Sequence, residues 1–128
     1  MSSGAELIGH KIVNVELADD SLSFTTDAGH VLRYSVEGDC CSYSYFHDIV
    51  GAEKLYENGP VKEVNSIAVD DTDVAADSNE YIKCYGYEIV TEHPKWGDQT
   101  TVFSFRNSSN GYYGGWMNFD GIEFANAA

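Results

Sequence analysis

Apolar and polar residues alternate over three consecutive segments near the start of the chain. The apolar positions of these segments are Val13, Val15 and Leu17, then Leu22 and Phe24, then Leu32, Tyr34 and Val36. A period of two is expected of β-strands that bury one face. Asp19-Asp20 separates the first segment from the second, and Asp27-Ala28-Gly29 separates the second from the third. Such residues are typical of tight turns. The pattern predicts a three-stranded antiparallel meander.

The rest of the chain also favours strands, except in its middle. Aromatic and β-branched residues, with partial alternation, predict strands over the ranges 61–69, 81–91, 101–106 and 112–119. Asn110-Gly111 lies before the last of these ranges and predicts a type I′ hairpin. Over 46–57 the alternation is lost, and Asp48 is predicted to cap a short helix that ends at Asn58-Gly59-Pro60. The expected fold class is mainly β: an antiparallel curved sheet or partly open barrel of six or seven strands with one short helix.

A chain of 128 residues fits one domain, because single domains most often contain roughly 100 to 150 residues. We therefore expect a single β-rich domain over 1–128. Loose ends are expected at about 1–6 and 124–128, where the sequence has little to bury. The acidic range 70–79 has no apolar pattern and is predicted to be a solvated loop.

The chain is strongly acidic, since 21 Asp and Glu against 7 Lys and Arg give a formal net charge of -14. Such a charge repels the phosphates of nucleic acids and of anionic lipids, so neither direct nucleic-acid binding nor membrane binding is expected. No apolar run approaches the roughly 20 residues that cross a bilayer, and the first residues lack the features of a signal peptide. Three cysteines, two of them adjacent, do not suit a disulfide framework. These features predict a cytoplasmic protein.

The Cys40–Asp48 segment contains the residues most suited to catalysis. Cys40 or Cys41 offers a thiol and His47 offers a base, but closeness in sequence does not establish that they meet in space. A zinc site from these residues lacks paired Cys-x-x-Cys spacing, and the acidic range 70–77 lacks the glycine and glutamate positions of a calcium loop. We therefore predict no catalytic residues, no metal site and no cofactor. The alternative hypothesis is an enzyme or small-ligand binder that uses this segment.

Two distinctive motifs occur in the chain. The first, GDCCSxSYFxDIxG, covers 38–51, and the second, FRNSSNGYYGG, covers 105–115. Together they resemble motifs of a family of small proteins of unassigned function that bacteriophages and prophages encode. The resemblance implies a phage-associated origin and a compact β fold, and it carries over no catalytic residue. Because phage genomes encode many small acidic proteins that block host defences, the resemblance also favours inhibition by protein binding.

The expected function is that of a phage-derived, non-enzymatic inhibitor of a host nucleic-acid-handling defence protein, either anti-CRISPR-like or directed at another defence system. Its acidic surface would mimic nucleic acid and bind a basic groove. The expected partner-binding residues combine carboxylates with large rings, and they are Asp70, Asp71, Asp73, Asp77, Glu80, Tyr112, Tyr113 and Trp116. A phage structural or assembly accessory protein is a further alternative, and no oligomeric state is predicted.

Overall fold

The computed structural model describes residues 2–39, 42–68, 81–109 and 114–124. These residues form eight β-strands, one α-helix and a 3-10 turn at Ala5–Leu7. The strands and the helix are β1 (Ile12–Leu17), β2 (Ser21–Thr26), β3 (His30–Gly38), β4 (Tyr43–Val50), α1 (Ala52–Glu57), β5 (Val61–Ile67), β6 (Tyr81–His93), β7 (Gly97–Ser109) and β8 (Gly115–Phe124). They form two antiparallel sheets, the first in the order β1-β2-β3-β8 and the second in the order β4-β7-β6-β5. The prediction of a mainly β domain with one short helix is confirmed, with eight strands in two sheets over the described residues.

The first three strands form the predicted meander. β2 pairs with β1 on one side and with β3 on the other, both antiparallel. Gly29 has a φ of 83° in the turn before β3, a conformation that favours glycine. The alternation correctly predicts the fully buried positions Leu22, Phe24, Leu32 and Tyr34. Local pattern and turn residues are therefore sufficient to specify this part of the fold.

The edge strand β1 buries less of its apolar face than the alternation predicts. Val13 and Leu17 are 44% and 39% exposed, whereas Ile12 is buried. The register of β1 against β2 is irregular between Ile12 and Asn14. Because β1 lies at the edge of the first sheet, its side chains have strand neighbours on one side only. The edge position therefore leaves part of the predicted apolar face uncovered.

The core lies between the two sheets and is rich in aromatic rings. The ring centroid of Phe24 in the first sheet lies 6.1 Å from that of Phe103 in the second. Within the second sheet, Tyr85 stacks on Phe105 at 4.8 Å and Tyr87 stacks on Phe103 at 5.2 Å. Burial raises the pKa of Tyr87. Aromatic cross-strand pairs stabilise a sheet by more than the burial of their apolar area alone. These rings therefore stabilise both the second sheet and its packing against the first.

Strand β4 continues through the residue that was expected to cap a helix. Its register against β7 is irregular between Phe46 and Asp48, and this irregularity breaks the alternation on which the sequence prediction depended. Asp48 accepts a hydrogen bond from the hydroxyl of Ser104 at 2.6 Å. The predicted Asp48 cap is therefore wrong.

The short helix α1 begins after Gly51, whose φ is 84°, and ends before Asn58, as predicted. Its Leu55 side chain is fully buried in the core. Lys11 reaches the C-terminal end of the helix, and its Nζ donates hydrogen bonds to the carbonyls of Leu55 (3.0 Å), Tyr56 (2.7 Å) and Asn58. The last carbonyls of a helix lack hydrogen-bond donors within the helix, and here the ammonium group of Lys11 is their donor.

β7 and β8 belong to different sheets, so the prediction that these two strands pair as a hairpin is wrong. β7 already has β4 on one side and β6 on the other, whereas β8 pairs with β3. Asn110-Gly111 itself lies outside the described residues. The strand predicted over 112–119 starts at Gly115 and extends to Phe124, which is the one described residue of the expected loose end 124–128.

The N-terminal segment, which was expected to be loose, lies against the core. Ser2 is 6% exposed, and its N–H donates to the carbonyl of Met117 at 2.6 Å. The Glu6 carboxylate accepts hydrogen bonds from the Ser2 hydroxyl (2.6 Å) and the Tyr34 hydroxyl (3.1 Å). Burial raises the pKa of Tyr34, and the neighbouring charge of Glu6 raises it further. Together with the buried Leu7, these contacts make the segment part of the folded domain.

Candidate interaction surface

Trp116 is the one predicted partner-binding residue that the structure describes. It lies on β8 opposite Glu37 of β3 and is half-buried. Because the adjacent Met117 is fully buried in the core, Trp116 faces the outer side of the first sheet. The other predicted residues lie outside the described ranges, and they are Asp70, Asp71, Asp73, Asp77, Glu80, Tyr112 and Tyr113. Their grouping with Trp116 stays a prediction.

Most basic side chains of the described residues have partners inside the fold. Arg33 forms an ion pair with Glu123 at 2.6 Å, and Lys62 forms one with Asp98 at 2.8 Å. The hydrogen bond to Asp98 raises the pKa of Lys62. Lys11 donates hydrogen bonds to the carbonyls at the end of α1, as described above. Arg106 is buried. Exposed ion pairs contribute little to stability, but here they neutralise two of the seven Lys and Arg side chains.

Acidic side chains, in contrast, are exposed on many elements. The exposed acids outside the ion pairs include Glu16, Asp19, Asp20, Asp27, Glu37, Asp39, Glu53, Glu57 and Glu63. The turn that contains Asp19 lies beside the second sheet, because its carbonyl accepts a hydrogen bond from the N–H of Phe46 at 2.8 Å. The negative charge of the described surface therefore extends over both sheets.

Side chains of the two sequence motifs that point between the sheets meet at Asn107. This side chain is fully buried, and its Nδ2 donates hydrogen bonds to the hydroxyls of Ser44 (2.9 Å) and Ser42 (3.2 Å). Gly38 and Gly115 are paired across β3 and β8 beside this group. A Cβ at either glycine would collide with a serine hydroxyl. This half of the motifs therefore has a structural role, since it joins strands of both sheets.

The outer sides of the same motifs meet at Arg106. In the strand register, Arg106 of β7 lies between Tyr45 of β4 and Cys84 of β6. Its guanidinium donates a hydrogen bond to Sγ of Cys84, and the residue is 8% exposed. Tyr43 is 60% exposed, and its ring stacks on that of Tyr45 at a centroid distance of 5.6 Å. We call this surface the Arg106 face, and its residues are Tyr43, Tyr45, Ile82, Cys84, Arg106 and Ser108.

The described residues add little to the alternative enzyme hypothesis. His47 is exposed at the irregular point of β4, and Cys40 and Cys41 lie outside the described residues. Within the described ranges, no three His, Cys, Asp or Glu side chains are grouped so as to hold a metal ion. The helices in this part of the chain are all too short or too polar to span a membrane. Catalysis by the Cys40–Asp48 segment stays a hypothesis.

The sequence prediction did not identify the Arg106 face. Its residues come from β4 and from the consecutive strands β6 and β7, and β4 is distant from the other two in sequence, so local pattern does not bring all of them together. One signal was present: Arg106 lies between Phe105 and Asn107 in a strand-like segment, which places it on the face opposite these two residues. Identifying its neighbours Tyr45 and Cys84 required the order and register of the second sheet.

Comparisons with known proteins give a family but no annotated relative. No curated protein and no solved structure matches the chain. A family model matches residues 5–119, a range that extends from the 3-10 turn into β8 and includes both motifs. Because the match covers most of the chain, the protein belongs to the family described as "Domain of unknown function (DUF7448)".

Proposed function

We propose that this domain is a non-enzymatic inhibitor that binds a host nucleic-acid-handling defence protein through its acidic surface. The observation that carries the proposal is the distribution of charge. Carboxylates are exposed on both sheets, whereas Lys11, Arg33 and Lys62 are engaged by carbonyls or carboxylates of the same chain. Such a surface offers anionic groups in many positions where a basic groove ordinarily binds phosphates.

The physical basis is electrostatic complementarity. A basic groove releases counterions when it binds an anion, whether that anion is a nucleic acid or an acidic protein. A net charge of -14 also attracts the groove at a distance and raises the rate of encounter. Salt screens such attraction with a Debye length of about 8 to 10 Å at physiological strength, so affinity should fall as salt rises.

The resemblance of the two motifs to phage and prophage proteins supports a host defence protein as the target. A CRISPR effector or another defence nuclease has the basic groove that the proposal requires. In this setting the inhibitor acts in the host cytoplasm and displaces the nucleic acid from the nuclease. It requires no cofactor and does not itself bind nucleic acid.

The test compares two variants in which five carboxylates are changed to amides. The loop variant changes Asp70, Asp71, Asp73, Asp77 and Glu80, and the control variant changes the exposed Asp19, Asp20, Asp27, Glu53 and Glu57. The tagged wild-type chain first captures its target from a bacterium that carries defence nucleases, and the purified target is then titrated at low and high salt. Each peripheral charge is worth about 0.5 to 1 kcal/mol, so five neutralisations lower affinity by at least roughly a hundredfold if their effects add.

We expect the loop variant to bind more weakly and with a flatter salt dependence, and the control variant to lose less affinity. If wild type and loop variant show equal affinity and equal salt slope, the loop does not contact the target. The expected contact is then the surface of Tyr112, Tyr113 and Trp116. Wild-type binding that does not respond to salt would contradict the electrostatic proposal itself.

Non-enzymatic action makes a separate prediction for Cys40 and Cys41. A variant with serine at both positions should still bind and inhibit the target, because neither thiol takes part in a reaction. Thermal unfolding measured beside the inhibition assay separates stability from function. Loss of inhibition at an unchanged melting temperature would support the enzyme alternative instead.

A further inference from the structure

We infer that the Arg106 face is a recognition site for a carboxylate carried by a partner polypeptide, a site distinct from the acidic surface. Arg106 lies on β7, an inner strand of the second sheet, with Tyr45 and Cys84 beside it in the register. It is more than nine-tenths buried. This inference goes beyond the proposed function, since it concerns a cation in a protein whose surface is mostly acidic.

The burial of Arg106 is unusual for a charged side chain. Removing a guanidinium from water costs free energy unless an anion or several acceptors compensate it. The ion pairs within the described residues involve Arg33 and Lys62 but not Arg106, whose hydrogen bond goes to the sulfur of Cys84. A thiol is a weak acceptor and satisfies little of a group with five N–H donors. The site therefore has unused capacity to bind an anion.

The rest of the guanidinium is not sealed inside the protein. Within the described residues, the buried side-chain atoms that lack a hydrogen-bond partner are the amide oxygens of Asn58 and Asn107. The nitrogens of Arg106 are not among them, so those without a partner keep some exposure to solvent, within the 8% of the residue that is exposed. A planar guanidinium binds a carboxylate with two parallel hydrogen bonds, a geometry that an ammonium group cannot provide.

The surroundings of Arg106 suit a polypeptide ligand. Tyr43 and Tyr45 form a stacked pair, and Ile82 lies across from Tyr43 on the other side of Ser108. Tryptophan, tyrosine and arginine contribute most often to the energy of protein interfaces. Tyrosine offers contact area with few rotors to fix, and arginine offers a planar group that forms paired hydrogen bonds. A polyanion such as a nucleic acid is repelled by the net charge of -14 far more than a single carboxylate is. We therefore assign the site to an Asp or Glu side chain of a partner protein.

The experiment uses the full chain and two small probes observed by NMR. The probes are blocked glutamate, N-acetyl-glutamate α-amide, and blocked glutamine, which has the same shape without the charge. We expect saturable shifts with blocked glutamate at the Arg106 Nε–H and at the backbone amides of Tyr45 and Cys84, with millimolar affinity. Blocked glutamine should bind at least about tenfold more weakly.

Three variants separate carboxylate recognition from general attraction. Arg106→Met should abolish the shifts, and Arg106→Lys should weaken binding at least about tenfold, since the ammonium keeps the charge but loses the paired geometry. Arg33→Met removes an equal charge from the first sheet and should leave binding unchanged. Because Arg106 lacks an ion-pair partner in the described residues, Arg106→Met should also fold with undiminished stability in urea unfolding.

Several results would overturn the inference. Equal binding of the two probes would show that the carboxylate is not recognised, and an equal loss in Arg33→Met would show non-specific attraction. Tighter binding of inorganic phosphate than of blocked glutamate would assign the site to a different anion. A large loss of stability in Arg106→Met would show that the arginine serves the fold. None of these results would bear on the salt-dependent binding expected of the acidic surface, so the two proposals fail independently.

Discussion

Lys11 should stabilise the domain more than an exposed lysine does, and its replacement by methionine tests this. Methionine retains most of the apolar stem but removes the ammonium group. Three carbonyls at the end of α1, those of Leu55 (3.0 Å), Tyr56 (2.7 Å) and Asn58, then lose a charged donor. One set of contacts between the start of β1 and the end of the helix would be lost.

The magnitude follows from the type and exposure of these contacts. Hydrogen bonds to a charged group contribute about 1.5 to 3 kcal/mol each when well formed. Here three bonds share one ammonium group, the side chain is half-buried, and water can replace part of the interaction, so we expect Lys11→Met to lower the free energy of unfolding by about 2 kcal/mol. For a chain of 128 residues, this loss corresponds to a fall of about 7 °C in melting temperature.

Urea and thermal unfolding followed by far-ultraviolet circular dichroism measure the effect, with Lys83→Met as the matched control. Lys83 is exposed on β6, and its replacement changes the net charge by the same amount. We expect the control to lie within about 0.5 kcal/mol of wild type, as is usual for surface substitutions. Equal stability of the two variants would contradict this prediction, because it would show that the carbonyl contacts of Lys11 add no stability beyond that of a surface lysine.

Two further predictions concern buried groups. Because the folded state raises the pKa of Tyr34 above the unfolded value of about 10, stability should be constant below that pH and should fall as pH rises above it. Tyr34→Phe should reduce this fall in urea titrations from pH 8 to 11, and an equal fall in the variant would contradict the prediction. Gly115→Ala should lower the free energy of unfolding by about 1 to 3 kcal/mol in urea, because the added Cβ collides with the Ser44 hydroxyl. Gly59→Ala is the control, since the nearest atom to a Cβ at Gly59 is 3.9 Å away. This control should unfold at nearly the wild-type urea midpoint.

Several elements of the fold were predictable from the local pattern of residues. The alternation before and after Asp19-Asp20 predicted the first two strands, and Asp27-Ala28-Gly29 predicted the turn into the third. These features act between residues that are close in the chain, so they need no knowledge of distant partners. The stop of α1 before Asn58 was predictable for the same reason. The uneven burial of β1 was not, because it depends on the position of that strand at an edge of the sheet.

The partners of the later strands depend on contacts between distant parts of the chain. Asn110-Gly111 favours a turn, but β7 has both of its edges occupied by β4 and β6, so β8 pairs with β3 instead. The segment around Asp48 lost its alternation through an irregular register, which only the pairing with β7 reveals. Sheet order depends on which faces can be buried together, and that is a property of the whole chain.

The candidate sites divide in the same way. Net charge and the two motifs are visible in the sequence, and they carry the proposed inhibitor function without assigning any motif residue to the core or to the surface. The tertiary structure made that assignment: it buries Asn107 between the sheets and places Arg106 beside Tyr45 and Cys84 on the outer face. Adjacent residues of a strand point to opposite sides, so one motif contributes both to the core and to a surface, and the neighbours of each side chain are set by strands from distant parts of the chain.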